Sequence, residues 1–114
     1  MDVLITGGAG FIGFHLAKHL SEDGYNVTIM DNFSRGREDK QFSELISRNN
    51  VRSLDADITE KSSFDPLGEF DFVYHLAAIN GTGNFYNIPD KVIKVGVVGT
   101  INVLDWFVKK KKGK

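Results

Sequence analysis

The stretch TGGAGFIG, residues 6–13, directly follows the apolar run VLI at residues 3–5. The apolar run predicts a buried strand and the residues after the glycines predict a helix, so the glycines fall at a strand-to-helix junction. Glycine lets the backbone turn sharply, and its missing Cβ lets a pyrophosphate approach the main chain. Because the first N–H groups of a helix attract anions, the spacing Gly7-x-x-Gly10-x-x-Gly13 predicts a phosphate-binding loop.

The next predicted strand ends in a carboxylate. The segment NVTIM at residues 26–30 reads as a strand, and Asp31 follows it about 20 residues beyond the glycine loop, where a dinucleotide-binding fold places an acid on the adenosine ribose. This acid predicts NAD, because the extra phosphate of NADP would meet a like charge. Arg35 and Arg37 follow and would attract a phosphate, so NADP stays open as the alternative. A P-loop is excluded, since no Lys-Ser or Lys-Thr follows Gly13.

Strand and helix patterns alternate along the whole chain as βαβαβαβα with short connections. This alternation predicts an α/β fold, a Rossmann-type parallel sheet with strand order 3-2-1-4, truncated from a doubly wound three-layer sandwich. The remaining predicted strands span residues 51–54 and 70–77. The first helix is predicted from about Phe11 to before Gly24, with Ile12, Leu16 and Leu20 at helical spacing. Two further helices are predicted over residues 39–48 and from Pro89 to about Lys109. Thr59 is the predicted N-cap of a brief helix that Pro66 closes.

Composition narrows the class of protein. The 114 residues are 41% hydrophobic, which predicts one globular domain over residues 1–114. The formal net charge of -1 gives no general attraction to nucleic acid or membrane, and the absence of cysteine excludes disulfides and thiol catalysis. No apolar stretch is long enough to span a membrane, and Met1 and Asp2 lead directly into the first strand without a signal peptide, so the expected location is the cytoplasm.

The chain resembles the N-terminal part of the extended short-chain dehydrogenase/reductase family, the NAD-dependent epimerases and dehydratases that act on nucleotide sugars. Five blocks carry the likeness in the family's order: TGGAGFIG at 6–13, DNFSRG at 31–36, DADIT at 55–59, HLAA at 75–78 and GTINVL at 99–104. They span nearly the whole chain, although it stops well before a complete family member would. The resemblance implies that residues 1–114 are an NAD(P)-binding Rossmann domain, the N-terminal portion of such an enzyme.

The resemblance also implies which residues bind NAD. The pyrophosphate would be held by Gly7, Gly10, Phe11, Ile12 and Gly13. The adenosine ribose would be bound by Asp31 and Asn32, with Ser34 and Gly36 in the turn beside it, and the adenine by Asp57 and Ile58. The nicotinamide half would lie against Leu76, Ala77 and Ala78. In this reading the Asp57 carboxylate accepts a hydrogen bond from the exocyclic amine of adenine. The alternative for Asp57 is an ordinary turn aspartate near Thr59.

The family's catalytic pair is missing from this sequence. Family members take a sugar hydroxyl proton with a tyrosine whose pKa is lowered by a lysine four residues later. The tyrosines here are Tyr25, Tyr74 and Tyr86, and the residues four positions on are Ile29, Ala78 and Asp90. In addition, Gly96 stands where the family usually carries the asparagine of Asn-x-x-Gly-Thr. We therefore expect no catalytic residue in this chain.

The histidines are not expected to do chemistry. His75 ends a predicted buried strand, where a core role is more common than acid–base catalysis. His15 and His19 lie one helical turn apart, but no third ligand accompanies them, so no metal site is predicted.

Two functions of different classes remain open. The chain is either the NAD-binding portion of a nucleotide-sugar epimerase, dehydratase or decarboxylase, or a non-catalytic nucleotide-binding or sensing module. Its expected partners are NAD(H), a nucleotide sugar only if the missing C-terminal part is supplied, and no nucleic acid or membrane. The last predicted helix is apolar over more than one face, which fits either a dimer interface, its common place in the resembled family, or a helix buried in a larger domain. We expect a homo-oligomer or a complementing chain, because the fourth strand would also lie at an unpaired sheet edge.

Overall fold

The computed structural model describes residues 1–8, 10–32, 40–77 and 86–112. The elements are β1 (Asp2–Thr6), α1 (Phe11–Glu22), β2 (Asn26–Asp31), α2 (Lys40–Ile46), β3 (Val51–Asp55), a 3₁₀ helix (Lys61–Phe64), β4 (Phe72–His75), α3 (Pro89–Lys94), a π-helical segment (Val95–Gly99) and α4 (Thr100–Lys112). These residues group into two compact units: Met1–Ala56 with Phe70–Leu76, and Asp57–Glu69 with the part of the chain from Ala77 onward.

The sheet lies in the first unit and has the order β3-β2-β1-β4, with every pair parallel. This confirms the predicted Rossmann-type arrangement. The central strand β1 is buried along its whole apolar run, and Val3, Leu4 and Ile5 are at most 1% exposed. Continuous apolar runs of this kind are typical of parallel strands, because both faces of the sheet are covered.

Helix α1 packs on the sheet through small residues. Gly13, Ala17 and Ser21 are its buried positions, while Leu16 and Leu20 are only partly buried against the core. Ile12 was expected to share the apolar stripe with Leu16 and Leu20, but its side chain is 69% exposed. The small side chains let the helix approach the strands closely. The helix ends where predicted, since Gly24 follows it with a φ of 90°.

The core of the first unit forms between these helices and the inner strands. Its buried members are Val3, Ile5, Ala17, Val27, Ile29, Phe42, Leu45 and Val51. Helix α2 contributes Phe42 and Leu45 as predicted, whereas Ile46 is only partly buried. The predicted start of α2 at Asp39 lies outside the described residues.

Strand β4 is shorter than the predicted span of residues 70–77. In the described part of the chain it pairs with β1 and with no other strand. Phe72 and Tyr74 are 46% and 41% exposed, which is high for apolar side chains of a strand. The strand order confirms the predicted position of β4 at the end of the sheet, and Phe72 and Tyr74 lie on the same face of this strand.

The second unit differs from prediction at both of its helical regions. Glu60, and not Thr59, precedes the 3₁₀ helix as its N-cap residue. The C-terminal helix, residues 89–112, begins with Pro89 in its first turn as predicted. However, a π-helical segment at Val95–Gly99 interrupts its α-helical geometry, which the sequence pattern did not indicate. Such segments are rare and frequently occur at functional sites.

Candidate functional site

The glycine loop is held in a tight turn by its own backbone. Gly7 has a φ of 77°, a conformation that other residues rarely adopt, and its carbonyl oxygen accepts a hydrogen bond from the Gly10 N–H at 3.1 Å. A Cβ on Gly13 would lie 2.3 Å from the same carbonyl oxygen and 2.7 Å from the Cα of Gly8. Glycine at position 13 therefore allows α1 to start directly against the loop.

The first turn of α1 presents backbone donors without a side-chain cap. Gly10 is the N-cap residue and has no side chain that could cap the helix. The Phe14 N–H donates the first helical hydrogen bond, to the Gly10 carbonyl at 2.8 Å. The side chains of Phe11 and Ile12 are 80% and 69% exposed. The N–H groups of residues 11–13 thus form an uncapped helix start with a glycine-lined approach, which fits a pyrophosphate.

Asp31 lies beside this loop because the loop is tied to strand β2. The Gly7 N–H donates to the carbonyl of Met30, the residue before Asp31, at 2.7 Å. The Asp31 carbonyl in turn accepts a hydrogen bond from the Ala56 N–H at 3.1 Å. Asp31 is partly buried and Asn32 is exposed. The fold therefore brings the predicted phosphate loop and the predicted ribose carboxylate to the same edge of the sheet.

Leu76 reaches the same edge from strand β4. Its N–H donates to the Thr6 carbonyl at 3.0 Å, immediately before the glycine loop, and its side chain is 38% exposed. The preceding His75 lies with its ring Nδ1 2.7 Å from the Thr6 hydroxyl. Burial lowers the pKa of His75 below the ordinary value of 6.5, so the neutral imidazole is favoured.

In the second unit, Asp57 organises the turn after β3. Its Oδ1 accepts hydrogen bonds from the Thr59 N–H at 2.9 Å and from the Thr59 hydroxyl at 2.8 Å. Its backbone carbonyl accepts a third from the Ser63 hydroxyl at 2.6 Å. The predicted alternative of a turn aspartate is therefore present in the structure. It does not conflict with adenine recognition, because both Thr59 donors use one carboxylate oxygen and Oδ2 remains the other acceptor.

Ile58 is held by two residues of the C-terminal helix. The buried Asn102 side chain donates from Nδ2 to the Ile58 carbonyl at 2.9 Å. A Cβ on Gly99 would lie 2.4 Å from the Ile58 Cδ1, so glycine allows the close contact. Sequence reasoning assigned no role to either residue, although both fall in the block GTINVL that carried the family resemblance.

Sequence reasoning also missed Gly8. A Cβ there would lie 2.4 Å from the Ile29 Cγ2, so glycine lets the loop pack onto strand β2. The signal was the pair of adjacent glycines after Thr6.

The predicted site residues divide between the units. The first carries the glycine-loop residues, Asp31, Asn32 and Leu76, and the second carries Asp57, Ile58 and Ala77, which is partly buried. Ser34, Gly36 and Ala78 lie outside the described residues, as do Arg35 and Arg37.

Two further features of the described residues take no part in this site. A cavity of about 870 Å³ in the second unit is lined by Lys61, Phe64, Asp65, Gly68, Glu69, Asn102, Asp105, Trp106, Lys109 and Lys110, a set that shares no residue with the predicted cofactor site. His15 contacts the rings of Phe11 and Phe14, and His19 lies 3.5 Å from Asp23. In this described part of the chain no three potential metal ligands cluster, and no helix is long and apolar enough to cross a membrane.

Comparison with known proteins places these features in a family. The sequence model of the NAD dependent epimerase/dehydratase family matches residues 3–114. The UDP-N-acetyl-alpha-D-glucosaminuronate decarboxylase of Bacillus cytotoxicus is 42% identical over 110 residues, which cover 96% of this chain and 33% of that protein. The UDP-glucuronic acid decarboxylase 1 of Danio rerio is 40% identical over 103 residues, covering 90% of this chain and 23% of that protein.

Among solved structures, the UDP-glucose 4-epimerase of Bifidobacterium longum in complex with NAD⁺ and UDP superposes with a TM-score of 0.87 at 26% identity. The match covers 97% of this chain and 34% of that one. The chain therefore spans only 23% to 34% of the length of these three proteins.

Proposed function

The chain belongs to the NAD-dependent epimerase/dehydratase family, and from this premise we propose that residues 1–114 form the NAD-binding domain portion of a nucleotide-sugar epimerase, dehydratase or decarboxylase. NAD, when bound, supplies a hydride acceptor for the oxidation of a sugar carbon. This chain's own residues hold and orient the cofactor. A cytoplasmic location accompanies the proposal, since the sequence has no cysteine and so no disulfide that an oxidising compartment would favour.

The observation that carries the proposal is the 2.7 Å hydrogen bond from the Gly7 N–H to the Met30 carbonyl. It joins the phosphate loop to the end of the strand that delivers Asp31. A pyrophosphate at the uncapped start of α1 would therefore have its adjoining ribose within the neighbourhood of that carboxylate.

The remaining cofactor contacts follow from the same assignment. Asp31 and Asn32 would bind the adenosine ribose, with Ser34 and Gly36 beside them. Asp57 and Ile58 would bind the adenine, and Leu76, Ala77 and Ala78 would lie against the nicotinamide half. Support for the last group comes from Leu76, whose N–H is bonded to the Thr6 carbonyl directly before the glycine loop.

The proposed substrate class is the UDP-sugars, because the three similar proteins are named for UDP-sugar chemistry or bind UDP. This substrate belongs to the complete protein. Residues 1–114 contain no tyrosine followed four residues later by lysine, so they lack a pair able to take the hydroxyl proton. The second candidate is a nucleotide-binding module without chemistry. A coding region that continues with Tyr-x-x-x-Lys supports the enzyme portion, and a native stop codon after Lys114 supports the module.

Titration calorimetry with NAD, NADP and UDP tests the proposal on the chain as it stands. We expect measurable binding of NAD, weaker binding of NADP, and no change in absorbance at the NADH band when UDP- or dTDP-sugars are added with NAD. Absence of NAD binding by a folded chain would overturn the cofactor assignment. Growth of the NADH band would overturn the statement that this polypeptide alone lacks the chemistry.

We also propose that the C-terminal helix self-associates with a second copy of the chain. Five aliphatic side chains recur on it at helical spacing and are each 48–59% exposed: Ile93, Val97, Ile101, Leu104 and Val108. We call this set the aliphatic stripe. A second copy fits because an antiparallel partner helix would bring the acidic start of α3, at Asp90, toward the lysines at 109 and 110. A complementing chain that pairs with the edge of β4 is the other partner expected from the sequence.

A further inference from the structure

The contact between Asn102 and Ile58 joins two segments that are 44 residues apart in sequence. The Asn102 side chain is 5% exposed, and its Nδ2 donates to the Ile58 carbonyl at 2.9 Å. A buried amide that bonds to a backbone carbonyl restrains that carbonyl strongly, because breaking the bond leaves two polar groups without water. The position of Ile58 along the turn is therefore set by the C-terminal helix.

Gly99 restrains the same residue from the side. It lies three positions before Asn102 and so on the same face of the helix. The Ile58 Cδ1 and Cγ1 occupy positions 2.4 Å and 2.8 Å from where a Gly99 Cβ would be. The backbone carbonyl and the side chain of Ile58 are thus both fixed by the region where the π-helical segment passes into α4.

The restraint extends to Asp57, the neighbour of Ile58. One carboxylate oxygen of Asp57 is occupied by the two Thr59 donors, at 2.9 Å and 2.8 Å. The Asp57 carbonyl is bonded to the Ser63 hydroxyl at 2.6 Å. Together with the Ile58 contacts, these bonds leave the carboxylate little freedom to rotate, and they leave Oδ2 as the oxygen that can accept from a ligand.

We propose that Asn102, aided by Gly99, is a positioning residue that aligns Asp57 to select an adenine amine over an oxo group at the same ring position. The inference rests on the proposed NAD binding and adds to it a residue that acts on base selectivity without touching the cofactor. The selectivity would depend on whether the group at C6 of the base donates or accepts a hydrogen bond. The amine at C6 of adenine donates to a carboxylate, whereas the oxygen at C6 of hypoxanthine repels it.

Nicotinamide hypoxanthine dinucleotide is therefore the probe, since it replaces the C6 amine of NAD by an oxygen, with a proton on the neighbouring N1. We expect the unmodified chain to bind NAD more tightly than this analogue by on the order of tenfold or more, the size of one hydrogen bond to a charged group. In Asn102→Leu, which keeps the branching of the side chain at Cγ but cannot donate a hydrogen bond, the ratio of the two dissociation constants should fall to within about threefold of unity. Val103→Ala is the control, because Val103 is as deeply buried as Asn102 at the next position of the helix and its side chain has no hydrogen-bond donor. It should lose stability and retain the ratio.

The two glycines of the π-helical segment give a second matched pair. Gly99→Ala would push the Ile58 side chain and should lower the ratio as Asn102→Leu does. Gly96→Ala meets no atom within 4 Å and should leave the ratio unchanged. Hydrogen exchange gives a readout without cofactor: the Thr59 amide, bonded to Asp57, should exchange faster in Asn102→Leu than in Val103→Ala.

Each outcome decides the inference. If Asn102→Leu keeps the wild-type ratio and the protected Thr59 amide, or if it loses cooperative unfolding while Val103→Ala retains it, Asn102 is a packing residue and the proposal is wrong. If the unmodified chain binds neither dinucleotide, the proposed function fails first. If it binds both equally, NAD binding stands and the selectivity assigned to Asp57 is wrong.

Discussion

The carbonyl oxygen of Gly7 lies 2.3 Å from the position that a Cβ on Gly13 would occupy, so these two glycines hold the loop and helix α1 in direct contact. The obstructing atom belongs to the backbone and cannot rotate aside. Gly13 differs in this respect from Gly8, whose Cβ would meet the side chain of Ile29, and from Gly10, whose Cβ would meet no atom closer than 3.4 Å.

We expect Gly13→Ala to lower the free energy of unfolding by about 1–3 kcal/mol, because the added methyl forces α1 and the loop apart. Urea unfolding followed by circular dichroism measures the change. Gly68→Ala serves as the control, since its Cβ would meet no atom within 4 Å and should alter stability by no more than about 0.5 kcal/mol. Equal stability of the two variants would contradict the packing explanation.

Gly10→Val is expected to separate binding from folding. A Cβ at Gly10 comes no closer than 3.4 Å to the Gly7 carbonyl oxygen, an ordinary contact, so the variant should still fold cooperatively, with a loss of about 1 kcal/mol because valine replaces glycine at the N-cap of α1. NAD binding should be lost, because the side chain would fill the space proposed for the pyrophosphate. Calorimetric titration of the folded variant decides the matter, and unchanged affinity would remove Gly10 from the site.

Asp31→Asn is expected to narrow the preference for NAD over NADP. The substitution keeps the shape of the side chain and removes the charge that opposes the extra phosphate. The ratio of the two dissociation constants, measured by calorimetry, should move toward unity by roughly tenfold, the equivalent of about 1.4 kcal/mol. Tighter binding of NADP than of NAD by the unmodified chain would show that Asp31 does not select the cofactor.

Stability should decrease at mildly acidic pH because of His75. Burial places its folded-state pKa below 6.5, while the unfolded chain takes up the proton near that value. The unfolded state therefore binds more protons between the two pKa values, so the contribution of neutral His75 is fully present above about pH 6.5 and is lost as pH falls through the folded-state pKa. Urea unfolding from pH 8 to pH 5 should give a shallower loss for His75→Gln than for the unmodified chain. Parallel curves would contradict this assignment.

Leu104→Lys is expected to weaken self-association. Leu104 is 57% exposed within the aliphatic stripe, and a buried lysine at a helix interface would be costly unless paired. Sedimentation velocity at several concentrations should show a larger monomer fraction for this variant. Asn87→Lys adds the same charge at an exposed residue before the helix and should leave the distribution unchanged. A monomeric unmodified chain at every concentration would exclude the proposed interface.

The local pattern of the sequence was sufficient for the sheet and for the glycine loop. Parallel strands in a βαβ fold carry their information in short apolar runs, and the turn between β1 and α1 is specified by glycines within eight residues. The start of α1 at Phe11 and the Gly24 terminus follow from such neighbouring residues, and the order β3-β2-β1-β4 follows from the doubly wound arrangement that the alternation of strands and helices predicts.

Tertiary structure alone decided the surroundings of Ile58 and the buried face of α1. The hydrogen bond from Asn102 joins residues 44 positions apart, and local periodicity in the sequence predicts neither this partner nor the π-helical segment. Helical spacing grouped Ile12 with Leu16 and Leu20, but the close approach of α1 to the sheet selected the small residues Gly13, Ala17 and Ser21 for its buried face. The sequence by itself thus determined which elements form and in what order they join the sheet. Which side chains meet was decided by the distances between packed elements, because those distances depend on side-chain volumes contributed by remote parts of the chain.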